Sequence, residues 1–209
     1  MTLVGATASR RWLMSSVSSP SALLLDRDGV INRELGHFVR DWSEFDFLPG
    51  VLNALQRIAS LPIPILVVTN QSAVGRGWMA QHTLDALHER MLSAIRAAGG
   101  RIDDVLVCPH APDAGCMCRK PKPGLLIQAA AQLGFDLGRA WMAGDQARDI
   151  EAACAAGAIP VLLGAAPELA ADLASKCVGH PMRVAADLTE LADTLVAAGH
   201  AVTSSGSGQ

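Results

Sequence analysis

The sequence is poor in charged residues and has no excess of positive charge. Charged residues make up 18% of its 209 residues and the formal net charge is −3, with an isoelectric point of about 6.0. A broad electrostatic contact with nucleic acid is therefore not expected. Apolar residues make up 50% of the chain and the mean hydropathy is +0.28. This composition excludes an intrinsically disordered protein and suits one globular domain.

Several familiar signals are also absent. The uncharged stretch over residues 152–167 is interrupted by Gly157, Pro160 and Gly164, and it is shorter than the roughly 20 apolar residues that a membrane helix needs. There is no Gly-x-Ser-x-Gly motif, no Walker A motif and no complete dinucleotide fingerprint. We therefore predict a cytoplasmic protein without a membrane partner, and a monomer. Residues 1–20 are predicted to be a flexible tail, residues 21–200 a single domain and residues 201–209 a disordered tail.

Cysteine is scarce and unevenly placed. Of five cysteines, three fall between positions 108 and 118, whereas a disulfide framework would spread them along the chain. Three thiolates and one imidazole form a full tetrahedral set for zinc in a reducing compartment. The predicted ligands are Cys108, His110, Cys116 and Cys118. Because four protein ligands leave no open position, the ion would be structural, and Cys154 and Cys177 are predicted to be core residues.

Short apolar runs alternate with helical patterns along the chain. The runs that predict buried strands are residues 22–25, 63–68, 105–107, 141–143 and 160–163. The patterns that predict helices lie near residues 50–60, 81–98, 123–134, 147–156 and 187–198. This alternation predicts the α/β class, with an open parallel sheet and helices on both of its faces.

A polar cluster follows each of the first four predicted strands. In open parallel sheets, ligands bind at the carboxyl ends of the strands. The first cluster contains Asp26 and Asp28, whose like charges repel unless a divalent cation lies beside them. One carboxylate could attack phosphorus as a nucleophile while the other handles the leaving-group proton. The alternative is an acidic turn without a catalytic role.

The other clusters supply groups that bind phosphate or a metal ion. Residues 69–72, with the sequence Thr-Asn-Gln-Ser, offer uncharged hydrogen bonds to phosphate, or they simply form a turn. Arg119 and Lys120 follow the last zinc ligand, and we expect the zinc to stiffen this loop and direct both cations at a phosphorylated substrate. Asp145 could bind Mg²⁺. Asp149 could share that metal site or only favour the start of a helix.

Together these clusters resemble the four motifs of the haloacid dehalogenase (HAD) superfamily of phosphatases. The zinc cluster followed by Arg-Lys-Pro is similar to the D-glycero-D-manno-heptose 1,7-bisphosphate 7-phosphatases and the related histidinol-phosphate phosphatases. The resemblance covers residues 23–163. It implies a three-layer Rossmann-like (HAD-type) fold with a zinc-bound loop and no large cap domain. The sequence departs from these families at Gln146, where some heptose phosphatases have a lysine, and in its short zinc loop.

The resemblance also implies a mechanism and a set of site residues. Asp26 would form an aspartyl-phosphate, while Asp28 would protonate the leaving oxygen and then activate water. Mg²⁺ would bind Asp26, the backbone carbonyl of Asp28, and Asp145. Thr69 and Lys120 would steady the transferred phosphoryl group. The implied substrate-binding residues are Glu34, Leu35, Gly36, His37, Thr69, Asn70, Gln71, Ser72, Arg119 and Lys120.

Three other functions compete with a heptose bisphosphate phosphatase. The first is a phosphatase for histidinol phosphate or another small phosphorylated metabolite. The second is a regulatory domain that is phosphorylated on Asp26 and only slowly dephosphorylated, which the second carboxylate at Asp28 disfavours. The third is a zinc-dependent binding module without catalysis.

Overall fold

The structure is a computed structural model that describes residues 19–177, 179 and 181–204, with side chains described up to residue 198. Residues 1–18 of the predicted N-terminal tail (residues 1–20) and residues 205–209 of the predicted C-terminal tail (residues 201–209) lie outside this part of the chain. Within it, no helix combines the length and apolar character needed to cross a bilayer.

The centre of the protein is a six-stranded parallel sheet with the strand order β3-β2-β1-β4-β5-β6. The strands are β1 (Leu23–Leu25), β2 (Ile65–Asn70), β3 (Asp104–Cys108), β4 (Trp141–Gly144), β5 (Ile159–Leu163) and β6 (Arg183–Ala185). The order places β1 between β2 and β4. The ends of β1, β2 and β4 therefore meet in the middle of one edge of the sheet.

Helices cover both faces of the sheet, as the alternating pattern predicts. The helices are α1 (Val51–Ile58), α2 (Ser72–Gly75), α3 (Gln81–Ala97), α4 (Gly124–Leu133), α5 (Ala147–Ala156), α6 (Pro167–Lys176) and α7 (Leu188–Ser204). Leu23 and Leu25 pack with α1, α3 and α7 on one face, whereas Leu24 packs with α4 and α5 on the other. Successive side chains of a strand point to opposite faces of the sheet, and helices cover both faces. Every position of β1 is therefore buried and apolar.

The structure adds elements that the sequence patterns did not predict. Helices α2 and α6 and strand β6 are new, and α7 continues to Ser204, six residues beyond its predicted end near residue 198. Strand β6 is a three-residue edge strand that begins with a charged residue, so its apolar pattern is too short to recognise. The Arg183 guanidinium lies 4.4 Å from the centre of the Trp141 ring, which lets an arginine occupy this strand.

Cys154 and Cys177 pack in the protein interior, as predicted for core residues, but the structure also pairs them, which the sequence analysis did not predict. They form a disulfide bond that joins α5 to the residue following α6, with their Cα atoms 5.8 Å apart. Both belong to a small apolar cluster between these helices. Because the cysteines are 23 residues apart and α6 was not predicted, nothing in their spacing indicated that they would meet.

Candidate active site

Asp26 directly follows β1 and is buried at the centre of the sheet edge. Its carboxylate accepts hydrogen bonds from the Arg27 backbone amide at 2.7 Å and from Lys120 Nζ at 3.0 Å. Burial raises the pKa of Asp26 to about 6, with Lys120 opposing the rise and Asp149 adding to it. A buried carboxylate whose charge is only partly compensated can bind a cation or attack an electrophilic phosphorus.

Lys120 reaches Asp26 from the end of the loop that follows β3, residues 109–120, here called the cysteine-rich loop. Its side chain is fully buried, and Nζ donates to the Val68 carbonyl at 2.7 Å while forming ion pairs with Asp26 and with Asp149 at 2.6 Å. The Asn70 side chain fixes the Lys120 backbone, donating to its carbonyl at 3.0 Å and accepting from its amide at 3.1 Å. The predicted phosphate-binding amide of Asn70 thus also holds Lys120 in place.

Asp28 is surrounded by hydrogen-bond donors. Arg27 binds both of its oxygens through Nη2 at 2.7 and 2.9 Å, and Asn32 and Gln71 donate at 2.9 and 2.8 Å. Burial raises the pKa of Asp28, but the charge and hydrogen bonds of Arg27, together with Asn32 and Gln71, outweigh it and lower that pKa below its usual value. Gln71 also donates to Thr69 Oγ1 at 2.9 Å. In this arrangement Asp28 is a carboxylate that can accept a proton.

Arg27 and His88 are site residues that the sequence did not reveal. The Arg27 side chain is fully buried, and Nη1 lies 3.1 Å from His88 Nε2 on α3. Because a guanidinium can only donate, His88 Nε2 must be the unprotonated acceptor. Only the packing of α3 beneath the site brings these residues together, since they are 61 positions apart. The one signal for Arg27 in the sequence was its position between Asp26 and Asp28.

We expect His88 to make stability depend on pH. Burial, followed by the charge of Arg27, lowers the pKa of His88 from 6.5 to about 4. The unfolded chain therefore binds a proton that the folded protein excludes between these values. The free energy of unfolding should fall as pH drops from about 6.5 to about 4, by roughly 3 kcal/mol.

The His88→Gln variant keeps a hydrogen-bond acceptor but cannot titrate, so it separates the pH dependence caused by His88 from that caused by nearby acids. The free energy of unfolding in urea is measured for wild type and for this variant between about pH 4 and pH 6.5. The stability difference between wild type and variant should narrow steadily as pH falls. A difference that is constant across the range would contradict the assignment.

Three carboxylates could hold a metal ion. Oxygen atoms of Asp26, Asp145 and Asp149 all lie within 4.8 Å of one another. Asp145 Oδ2 accepts from the Gln146 side chain at 2.7 Å, but Oδ1 is buried and has no hydrogen-bond partner among the described residues. Oxygen ligands and an uncompensated buried oxygen fit Mg²⁺. Asp149 pairs with Lys120 and also accepts from the Gln146 backbone amide in a capping box that starts α5. Asp149 therefore caps the start of α5 and also belongs to the carboxylate cluster.

Gly29 lets the chain turn tightly behind these carboxylates. Its φ is +82°, and a Cβ at this position would lie 2.2 Å from Asp145 Oδ2. We expect Gly29→Ala to displace Asp145 and to lower the melting temperature by at least about 5 °C. Gly36→Ala is a matched control, because Gly36 has a φ of +73° and nothing within 4 Å of the added carbon. Differential scanning calorimetry tests this prediction, and equal melting temperatures for the two variants would contradict it.

The four predicted zinc ligands converge at the end of β3. Cys108 Sγ lies 3.7 Å from Cys116 Sγ and from His110 Nδ1, and 3.3 Å from Cys118 Sγ. Thiolates around tetrahedral zinc, with bonds of about 2.3 Å, stand about 3.8 Å apart. The donor set and its spacing therefore fit zinc. Cys118 lies two residues before Lys120, so this cluster is connected directly to the buried ion pairs.

A cavity of about 440 Å³ opens beside Asp28. It is lined by Asp28, Glu34, Gly36, His37, Phe38, Asn70, Gln71, Ser72, Arg119, Gln146 and Arg148. Most of the predicted substrate-binding residues thus share one cavity. Leu35, which was predicted with them, instead packs against the hydrophobic core. Glu34 and Gly36 on either side of it are exposed, whereas the apolar side chain of Leu35 is half-buried.

Comparisons with known proteins give the class that the sequence motifs resemble, the HAD phosphatases. A family model described as HAD-hydrolase-like matches residues 117–191. The D-glycero-beta-D-manno-heptose-1,7-bisphosphate 7-phosphatase of Pseudomonas putida is 40% identical over 141 residues, which cover 68% of this chain and 81% of that protein. The crystal structure of the D,D-heptose 1,7-bisphosphate phosphatase from B. bronchiseptica, complexed with magnesium and phosphate, has a TM-score of 0.75 and 37% identity, covering 84% of this chain and 98% of that chain.

The sheet order, the buried aspartates at its central edge and these matches define the chain as a phosphatase of the HAD type. It belongs to the D-glycero-beta-D-manno-heptose-1,7-bisphosphate 7-phosphatase family. The resemblance deduced from the sequence motifs is thereby confirmed. The relatives favour the heptose phosphatases over the histidinol-phosphate phosphatases.

Proposed function

We propose that this enzyme removes the 7-phosphate of D-glycero-D-manno-heptose 1,7-bisphosphate through an aspartyl-phosphate on Asp26, as part of nucleotide-activated heptose biosynthesis. The observation that carries the proposal is the buried Asp26 carboxylate, held by Lys120 beside Asp28, in a chain 40% identical to relatives named for this reaction.

In the first step, a carboxylate oxygen of Asp26 bonds to phosphorus and the bond from phosphorus to the sugar oxygen breaks. The departing oxygen takes a proton from Asp28. Asp28 must therefore take up a proton when the substrate binds, which the negative charge of the bound phosphate beside this carboxylate would favour. In the second step, water attacks the phosphorus, gives its proton to the Asp28 carboxylate and displaces Asp26. Phosphate leaves, and both residues return to their starting states. Arg27 and Gln71 hold Asp28 in its ionised form between the steps.

The proposed Mg²⁺ ligands are Asp26, the backbone carbonyl of Asp28, and Asp145. The unpartnered Asp145 Oδ1 supports this assignment. When bound, the ion would neutralise charge on the phosphate and on the attacking carboxylate. Lys120 keeps Asp26 in place through their ion pair. Thr69, which accepts a hydrogen bond from Gln71, is the proposed hydrogen-bond donor to the transferred group.

The proposed role of zinc is to hold the loop that ends in Arg119 and Lys120. We expect Cys116→Ser to lose zinc, to melt at a lower temperature and to turn over substrate more slowly, because Lys120 and its contacts would lose their anchor. Met117→Ala is the matched control, since Met117 lies between two ligands in sequence but is 65% exposed. Zinc content, melting temperature and kcat are measured together. Loss of zinc without a change in either of the other two would refute the stiffening role.

Steady-state kinetics on a substrate panel test the proposed activity. The panel contains both anomers of heptose 1,7-bisphosphate, histidinol phosphate and an aryl phosphate, each with magnesium present. The highest kcat/KM is expected for a heptose bisphosphate. A clear preference for histidinol phosphate would overturn the substrate assignment, and a single turnover followed by arrest would favour the regulatory domain.

We also propose that the enzyme acts in the cytoplasm as a monomer on this small phosphorylated sugar, without nucleic acid or membrane partners. The three free thiols at the zinc cluster support a reducing compartment, although disulfide bonds such as Cys154–Cys177 are rare there.

A further inference from the structure

The disulfide bond between Cys154 and Cys177 supplies much of the attachment of helix α6. Of the ten residues of α6, all of which the structure describes, only Leu173 is buried. It packs with Ile150 and Leu162 in a small apolar cluster. Cys177 directly follows α6 and is bonded to Cys154 on α5. Because a single buried leucine is a narrow apolar contact for a helix, the local stability of α6 depends on this covalent bond.

The two bonded cysteines differ in their exposure to solvent. Cys154 is half-buried, whereas Cys177 is 4% exposed. Thiol–disulfide exchange requires a thiolate to reach one of the two sulfur atoms of the bond. Cys154 is therefore the residue that a small thiolate attacks, and Cys177 carries the leaving sulfur. A reducing compartment, which suits the three free thiols of the zinc cluster, supplies small thiols of this kind.

We propose that Cys154 and Cys177 form a reversible modification site for small thiols such as glutathione, and that its redox state controls the local unfolding of α6. A glutathione thiolate attacks Cys154 Sγ, the bond between the two protein sulfurs breaks, and Cys177 Sγ leaves with the electron pair and takes up a proton. A second glutathione thiolate attacks the glutathione sulfur of the mixed disulfide and releases Cys154 Sγ, which also takes up a proton. The protein gains two thiols, and two glutathione molecules become one glutathione disulfide, which can reverse both steps.

Reduction should loosen α6 and leave the catalytic ion pairs in place. Lys120 pairs with Asp26 and Asp149, and none of these three residues lies on α6. Asp149 is in the first turn of α5, whereas Cys154 is in its last turn. Local opening of a helix exposes its backbone to solvent and to proteases without unfolding the rest of the domain. The expected consequence is faster proteolysis of the reduced protein at an unchanged kcat.

Hydrogen exchange of the zinc-loaded protein, followed by mass spectrometry, tests the effect on α6. Amides of α6 should exchange roughly 100-fold faster in glutathione than in glutathione disulfide, because the bond closes a loop whose ends are 23 residues apart. Amides of α4 should exchange equally in both solutions. The double variant Cys154→Ser, Cys177→Ser should show the fast exchange of α6 in both. Equal exchange of wild-type α6 in the two solutions, or slow exchange in the double variant, would overturn the proposal.

Single variants test which sulfur atom is attacked. Cys177→Ser leaves Cys154 free, and glutathione disulfide should form a mixed disulfide on it. Cys154→Ser leaves the buried Cys177, which should react at least about 10-fold more slowly. Peptide mass spectrometry assigns each adduct, and the zinc content shows whether the other three cysteines are intact. Similar rates for the two variants, or no adduct on Cys154, would contradict the assignment of Cys154 as the attacked residue.

Trypsin digestion and turnover of an aryl phosphate measure the consequences for the whole protein. Cleavage after the exposed Lys176 should be faster in glutathione than in glutathione disulfide, while kcat at equal zinc content is the same in both. Ser175→Ala is the matched control for the cysteine variants, because Ser175 is an exposed residue at the same end of α6 and its variant keeps the disulfide bond. It should respond to glutathione as wild type does. A kcat that falls on reduction with zinc retained, or cleavage after Lys176 at the same rate in both solutions, would refute a redox effect confined to α6.

Discussion

Asp26→Asn should lower kcat by at least about 10⁴-fold, because an amide oxygen cannot replace the carboxylate that forms the covalent intermediate. The variant should still fold, since Asn has nearly the same shape and removes one charge from a cluster of buried acids. Turnover with magnesium and the circular dichroism spectrum measure the two properties. Trapping with beryllium fluoride should place an adduct on position 26 in wild type and none in the variant.

Asp113→Asn is the matched control for this change, because Asp113 is an exposed acid that does not line the cavity beside Asp28. It should keep wild-type kinetics. The mechanism fails if folded Asp26→Asn retains more than about a hundredth of the activity, or if the trapped adduct lies on another residue. Intact function of Asp26→Asn would support the binding module instead.

Lys120→Met should destabilise the protein as well as inactivate it. The substitution leaves Asp26 and Asp149 buried without their cation, and breaking a buried ion pair in this way costs about 3–5 kcal/mol. Burial lowers the pKa of Lys120, but these two carboxylates raise it above its usual value. Lys120 therefore stays charged when folded. Urea unfolding and kcat measure the two consequences.

Lys122→Met is the matched control, because the Lys122 side chain is exposed and, among the described residues, donates to the Gly115 carbonyl and not to a carboxylate. It should change neither property. The double variant Lys120→Met, Asp149→Asn should recover part of the lost stability without recovering activity, since it removes one unpaired charge but not the need for the cation beside Asp26. Unchanged unfolding of Lys120→Met, or no recovery in the double variant, would contradict this account of the ion pairs.

Much of the site could be predicted because strand ends are readable in the sequence. The apolar run before Asp26 and the one before Asp145 each predict a buried parallel strand, and parallel strands place their carboxyl ends on one edge. The zinc ligands were readable for another reason, since all four lie within the eleven residues 108–118 and their types are characteristic.

Other partners could not be predicted because they depend on contacts between distant elements. His88 gives no sign in sequence that it lies beneath Arg27, since a lone histidine on a helix is as easily a surface residue. The pairing of Cys154 with Cys177 required α6, whose weak pattern did not stand out. That Arg148 on α5 and Arg119 in the loop before α4 line the same cavity becomes apparent only in the folded structure.

The amino-acid sequence by itself determined the α/β class, the sheet edge at which the polar clusters lie, and the set of thiolate and imidazole ligands. Each of these three features depends on hydrophobic periodicity or on a short spacing between residues. Only the tertiary structure decided which charges compensate one another: Lys120 between Asp26 and Asp149, and Arg27 between Asp28 and His88. The physical reason is that the strength of an ion pair depends on distance and burial, and both are set by packing between residues far apart in sequence.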